Sequence, residues 1–139
     1  MGDRGNIVIR QGKDNREDVW FYTHWRGSDI REVVATTLRR HERWSDGIYL
    51  ARMIFCELVK GSETEATGFG ISTQLGDNEY PILVVDTEQQ KVFCVREEQL
   101  VKGHLKYPGL APDELPGEGV EFEKFNPKSF VKIFETDEQ

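Results

Sequence analysis

The sequence predicts an α+β domain: one antiparallel sheet of about five or six strands with two helices packed on one face. Three observations predict it. The stretch Trp20-Phe21-Tyr22-Thr23-His24-Trp25 is dense in β-forming aromatic residues. Residues 28–59 then switch to helical period, broken once at Trp44-Ser45-Asp46-Gly47, which divides two helices. After residue 66, apolar runs alternate with turn clusters again, as further strands require.

Taken in order, Asn6-Ile7-Val8-Ile9-Arg10 is apolar on both faces and reads as a central strand. Residues 11–18 are polar and hold Gly12, Asp14 and Asn15, so they read as a hairpin loop into an antiparallel partner over residues 19–25. The first helix has Ser28 or Asp29 as its N-cap, and Asp29 with Glu32 has the spacing of a capping box. Its buried stripe is Ile30, Val33, Val34, Thr37, Leu38 and His41, while Arg39, Arg40 and His41 suit the negative end of its dipole. The second helix, capped by Ser45 or Asp46 and stopped at Gly61, carries apolar residues from Ile48 to Val59 on more than one face. It is expected to be the more buried of the two.

In Thr67-Gly68-Phe69-Gly70-Ile71-Ser72-Thr73, one face is Phe69, Ile71 and Thr73 and the other is nearly bare. A bare face admits an aromatic ring, a helix or a ligand close to the backbone. Gly76-Asp77-Asn78-Glu79-Tyr80-Pro81 is a turn, Ile82-Leu83-Val84-Val85-Asp86 a central strand, and Lys91-Val92-Phe93-Cys94-Val95-Arg96 its hairpin partner. Residues 97–127 hold Pro108, Pro112, Pro116 and Pro127 with Gly103, Gly109, Gly117 and Gly119, and read as a long irregular excursion with a helical turn over residues 97–102. Residues 129–134 read as an edge strand or docking segment, and 135–139 as a frayed acidic tail.

The 139 residues fit a single domain, with no internal repeat or low-complexity tract. A formal charge of −7, from 25 acidic and 18 basic residues, disfavours non-specific nucleic-acid binding, which draws on clustered Lys and Arg. Arg26, Arg31, Arg39, Arg40 and Arg43 would make either a local basic patch or a solvated helix face. Cys56 and Cys94 lie in no Cys-x-x-Cys pair and read as small core hydrophobes. No apolar run approaches the ~20 residues that span a bilayer, and no secretory leader is seen, so a cytosolic protein away from membranes is expected.

The phrases Met1-Gly2-Asp3-Arg4-Gly5-Asn6-Ile7, Tyr22-Thr23-His24-Trp25, Arg43-Trp44-Ser45-Asp46 with Tyr49-Leu50-Ala51-Arg52, and Gly68-Phe69-Gly70-Ile71-Ser72-Thr73 with Gly76-Asp77-Asn78-Glu79-Tyr80-Pro81 resemble a family of small bacterial and phage proteins. The resemblance runs from Met1 to Val95 and implies a prokaryotic or viral cytosol. It brings no assigned chemistry.

No G-x-S-x-G elbow is present, and Gly68-Phe69-Gly70 lacks the third glycine, the Lys-Ser/Thr ending and the following helix of a phosphate cradle. The candidate ligand-binding residues are His24, Trp25, Arg26, Trp44, Asp77, Asn78, Glu79 and Tyr80, grouped if the two turns that hold most of them share one rim of the sheet. Three functions follow. The first is a non-enzymatic binding or interaction protein, self-associating or holding a protein partner; in a phage it would be an inhibitor or decoy of a host factor. The second is a binder of a nucleotide-like ligand between aromatic and Arg side chains. The third is a phosphoester hydrolase using Mg²⁺ or Mn²⁺ on His24, Asp77 and Glu79.

Overall fold

The computed structural model describes residues 2–11, 18–100 and 117–137. Strand β1 (Gly5–Arg10) pairs antiparallel with β2 (Val19–Thr23), Gly5 opposite Thr23 and Ile9 opposite Val19. A helical turn at Gly27–Asp29 leads into α1 (Ile30–Leu38), and α2 (Gly47–Leu58) follows. The chain then adds β3 (Phe69–Ser72) to the outside of β2, antiparallel. Strand β4 (Ile82–Asp86) lies against the other side of β1, and β5 (Lys91–Val95) returns as its hairpin partner. After the short α3 (Glu97–Leu100), β6 (Val120–Glu121) pairs with β5, and α4 (Val131–Asp137) ends the described chain. The six strands stand in the order β3-β2-β1-β4-β5-β6.

The α+β class, the single sheet and the two central helices are as the sequence predicts. The central pairing differs from the purely antiparallel expectation, because β1 and β4 run parallel. After β3 the chain recrosses the sheet, with Leu75 packed against the buried cluster that holds Val8 and Trp20, and Gly76 on the Tyr22 ring, so it enters β4 in the direction of β1. That crossing puts the loop before β4 beside the start of β1.

Side chains alternate across the sheet as the pleat demands. Ile7, Ile9, Phe21, Leu83 and Val85 face the helices, where they meet Ile30, Val34, Leu38, Leu50, Ile54 and Leu58. Val8, Trp20, Ile82, Val84, Phe93 and Val95 form a second buried cluster on the opposite face. Arg10 and Asp18, both buried, pair at 3.3 Å and tie the end of β1 to the start of β2.

Several local expectations change. Asp29 makes no side-chain capping bond, its carboxylate pairing with Arg26 Nε at 3.4 Å, and the N–H and hydroxyl of Ser28 just before it are taken by the Asp3 carboxylate; the capping box does not form. Asp46 does cap α2, accepting from the Tyr49 N–H. Helix α2 is not the more buried: it buries six of twelve residues against six of nine for α1, with Ile48 and Tyr49 in solvent. Cys56 shares its outer face with Arg52 and is exposed, whereas Cys94 is buried as expected.

Residues 129–134 dock, but as the start of a helix rather than a strand. Phe134 is fully buried, stacks on Tyr80 at 6.4 Å and lies under the Arg31 guanidinium at 4.2 Å. The helix runs on to Asp137 through most of the expected tail. Residues 117–127 are not irregular, since β6 pairs with β5 and Phe122 and Phe125 are buried in the core. Gly12, Asp14 and Asn15 of the expected hairpin loop, and Gly103, Pro108, Gly109, Pro112 and Pro116 of the excursion, lie outside the described residues.

Candidate functional site

The start of β1, the end of β2 and the loop before β4 meet at one rim of the sheet. Asn6, a polar residue in an apolar strand, is fully buried there and holds the loop. Its Nδ2 donates to the Asp77 carbonyl and to Asn78 Oδ1, both at 3.0 Å, and its Oδ1 accepts from the Gly76 N–H at 3.0 Å. Arg4 closes the loop from outside. Its backbone N–H donates to Glu79 Oε1 at 2.6 Å, its carbonyl accepts from the Glu79 N–H, and its guanidinium pairs with Asp77 at 3.6 Å and Glu79 at 3.5 Å. The Arg4 N–H, with its charge in support, holds the Glu79 carboxyl below the ordinary glutamate range.

Tyr22 joins this loop to the end of β2. Its ring packs on Gly76, and its hydroxyl shares a 3.0 Å hydrogen bond with His24 Nδ1. Burial, then the negative charge of Asp77, push the phenol above its ordinary value, with Glu79 adding and Arg4 opposing. Beyond His24, Trp25 stands edge-on to the imidazole at 4.3 Å and covers Gly68, where a Cβ would overlap the indole. The bare face of the Gly68 stretch is thus filled at one end by an aromatic ring; at Gly70 it stays open, with nothing within 4 Å of an added Cβ.

The rim expected from sequence therefore exists in part. His24, Trp25, Asp77, Asn78, Glu79 and Tyr80 gather at it. Arg26 is near in sequence but occupied: its Nη1 donates to the carbonyls of Glu57 and Leu58, capping the C-terminus of α2. Trp44 is at the opposite end of the sheet, because Asn6 at the start of β1 marks this rim whereas Trp44 shares an open depression of about 810 Å³ with Gln11, which follows the end of β1. There its indole N–H donates to the Leu38 carbonyl and its ring packs against His41 and Phe122.

The metal set does not assemble. Among the described residues no three His, Cys, Asp or Glu side chains converge to hold an ion. Asp77 and Glu79 turn to Arg4, and His24 turns to Tyr22, so the carboxylates and the imidazole are drawn apart. The rim is also acidic, since Glu97 and Glu98 line a depression beside Glu79 and Tyr80. An anionic nucleotide would meet carboxylates there, with the Arg4 guanidinium already paired to Asp77 and Glu79.

Sequence reading missed Arg4 and Asn6, which with Tyr22 build the rim; the buried-strand position of Asn6 was the available signal. It also left unread the outer edge of β3. His24 N–H bonds the Gly68 carbonyl at 2.8 Å, which fixes the ladder. In that register the N–H and C=O of Gly68, Gly70 and Ser72 face β2, and those of Phe69 and Ile71 face outward. No described strand lies outside them. Ile71 is 60% exposed and Trp25 54% exposed, both at this edge. Comparisons of the chain with protein-family models, curated proteins and solved structures found no match.

Proposed function

We propose that this is a non-enzymatic binding protein that takes a polypeptide partner on the outer edge of β3. The observation that carries the reading is an unpaired strand edge flanked by two large exposed apolar side chains, Ile71 and Trp25. Proteins blunt free edges with charge, proline, bulges or extreme shortness. The other edge follows that rule, with β6 only two residues long and followed by charged Glu123 and Lys124. The run Phe69-Gly70-Ile71-Ser72-Thr73 has no charge and no proline, and Gly70 is open beside it. Such an edge supports strand addition, in which backbone bonds supply affinity and alternate side chains supply selectivity. A phage origin, which only the sequence resemblance implies, would make the partner a host factor.

A photo-crosslinking residue placed at Ile71, with Ile48 as the control, tests this in cells that express the protein. Ile48 is equally apolar and exposed, but on α2. A discrete polypeptide adduct formed from position 71 and absent from position 48 supports the reading. Adducts that are equal at both sites, or missing at 71, refute it.

A further inference from the structure

We infer that the depression at the Trp44 end of the sheet is a second binding site, for a nucleoside monophosphate, separate from the β3 edge and not resting on it. The end of β1, the turn between β4 and β5 and the connection from α1 into α2 surround about 810 Å³ there, within the ~300–1,000 Å³ of small-ligand sites. Among the described residues, four that are not glycine hold a left-handed backbone. Three of them, His41, Arg43 and Gln90, line this depression, with φ of 54°, 58° and 54°. Such a backbone disfavours an L side chain and persists only where neighbours enforce it. Here they do: the His41 ring packs on Trp44 at 4.8 Å, the Arg43 guanidinium lies 4.7 Å from the Tyr49 ring centre, and the Gln90 carbonyl accepts from the Phe122 N–H at 2.9 Å. The three residues are thus placed before any ligand arrives.

Each part of that ligand has a matching group. Residues 39–52 carry Arg39, Arg40, Arg43 and Arg52 against only Glu42 and Asp46, in a chain of net charge −7. Glu42 is taken by Arg40 at 3.1 Å, and among the described residues Arg43 meets no carboxylate, so its fork stays open to two phosphate oxygens. Asp46 is fixed by Oδ1 on the Tyr49 N–H, which leaves Oδ2 to accept from a ribose hydroxyl. The side-chain amides of Gln11 and Gln90, both half-buried, make no hydrogen bond among the described residues. Each offers a donor and an acceptor side by side, the complement of a nucleobase edge. Gln11 lies on Gly47, where an added Cβ would overlap it, and the Trp44 ring, anchored by its N–H on the Leu38 carbonyl, is an apolar wall. The charge here is opposite to that of the rim around Glu79.

The test titrates the full chain with AMP, GMP, CMP and UMP, with the four nucleosides and inorganic phosphate as partial probes, and reads amide and indole N–H shifts by NMR. At least one monophosphate is expected to bind about tenfold or more tighter than its nucleoside or phosphate alone. It should move the amides of residues 41–48 and Gln90 and leave those of Phe69 and Ile71 in place. Arg43→Asn removes the guanidinium and suits the left-handed backbone, so it should stay folded in thermal unfolding while weakening the monophosphate about tenfold or more. Its affinity for the nucleoside should be unchanged. If that variant unfolds, the comparison of monophosphate, nucleoside and phosphate on the parent chain decides alone. No monophosphate bound by millimolar concentration, phosphate binding as tightly as every monophosphate, shifts confined to another surface, or a folded Arg43→Asn of undiminished affinity overturns the inference. None of these outcomes touches the Ile71 crosslink, so the strand-edge reading stands or falls separately.

Discussion

Asn6 holds the loop of the rim from a fully buried position. Truncating it would strand the Gly76 N–H and release the loop that carries Asp77 and Asn78. Asn6→Ala is therefore expected to cost about 1–3 kcal/mol in urea unfolding, the penalty for a partly buried hydrogen-bond set left unmade. Two glycines make a sharper contrast. A Cβ on Gly27 would stand 2.7 Å from the Arg4 carbonyl carbon, backbone that cannot yield, whereas one on Gly70 meets nothing. Gly27→Ala should destabilise by roughly 1–3 kcal/mol. Gly70→Ala should be neutral, or stabilising by up to about 1 kcal/mol through the unfolded chain.

The same rim carries a pH dependence. Burial raises the Asp3 pKa, but the Ser28 hydroxyl, Tyr80 and the Ser28 N–H together outweigh it and leave it lowered; Glu79 is lowered by the Arg4 N–H. A carboxyl depressed on folding adds stability above its unfolded value and loses it as pH falls through the folded one. The ordinary values are 3.8 and 4.5, so the loss lies in the acid range from about 4.5 downward. Thermal unfolding against pH should show a shallower acid decline in Asp3→Asn and Glu79→Gln than in the parent; unchanged curves would contradict the assigned bonds.

At the scale of elements, the strands and the two central helices were legible because local pattern decides them: short continuous apolar runs bounded by turns in β4 and β5, the i, i+3, i+4 stripe in α1. What misled were local competitors. Arg26 takes the Asp29 carboxylate, so the capping signal there fails, and Phe134 is claimed by Tyr80 and Arg31, so an apparent edge strand becomes α4. Gathering of the two turns at one rim was legible only as a conditional, since no local pattern announces that β1 and β4 run parallel. The exclusion of Trp44 was invisible for the same reason. Docking of α4 makes its own prediction. Phe134→Ala should cost about 3–5 kcal/mol as a buried aromatic truncation. A loss below about 1 kcal/mol would show that α4 contributes little to the core.

For the molecule as a whole, both sheet faces are buried and one edge is short, which leaves the β3 edge as the exposed backbone that the described fold does not use. No helix among the described residues is long and apolar enough to cross a membrane. The acidic balance then bears on partner choice rather than on folding. Residue-resolved amide hydrogen exchange tests this account most directly, first on the protein alone and then with a peptide from the polypeptide captured at position 71. The Phe69 and Ile71 amides should exchange fast in the free protein while those of Gly70 and Ser72 are protected, and the peptide should slow Phe69 and Ile71 selectively. Protection of Phe69 and Ile71 already present in the isolated monomer, or none gained on saturation with peptide, would contradict it.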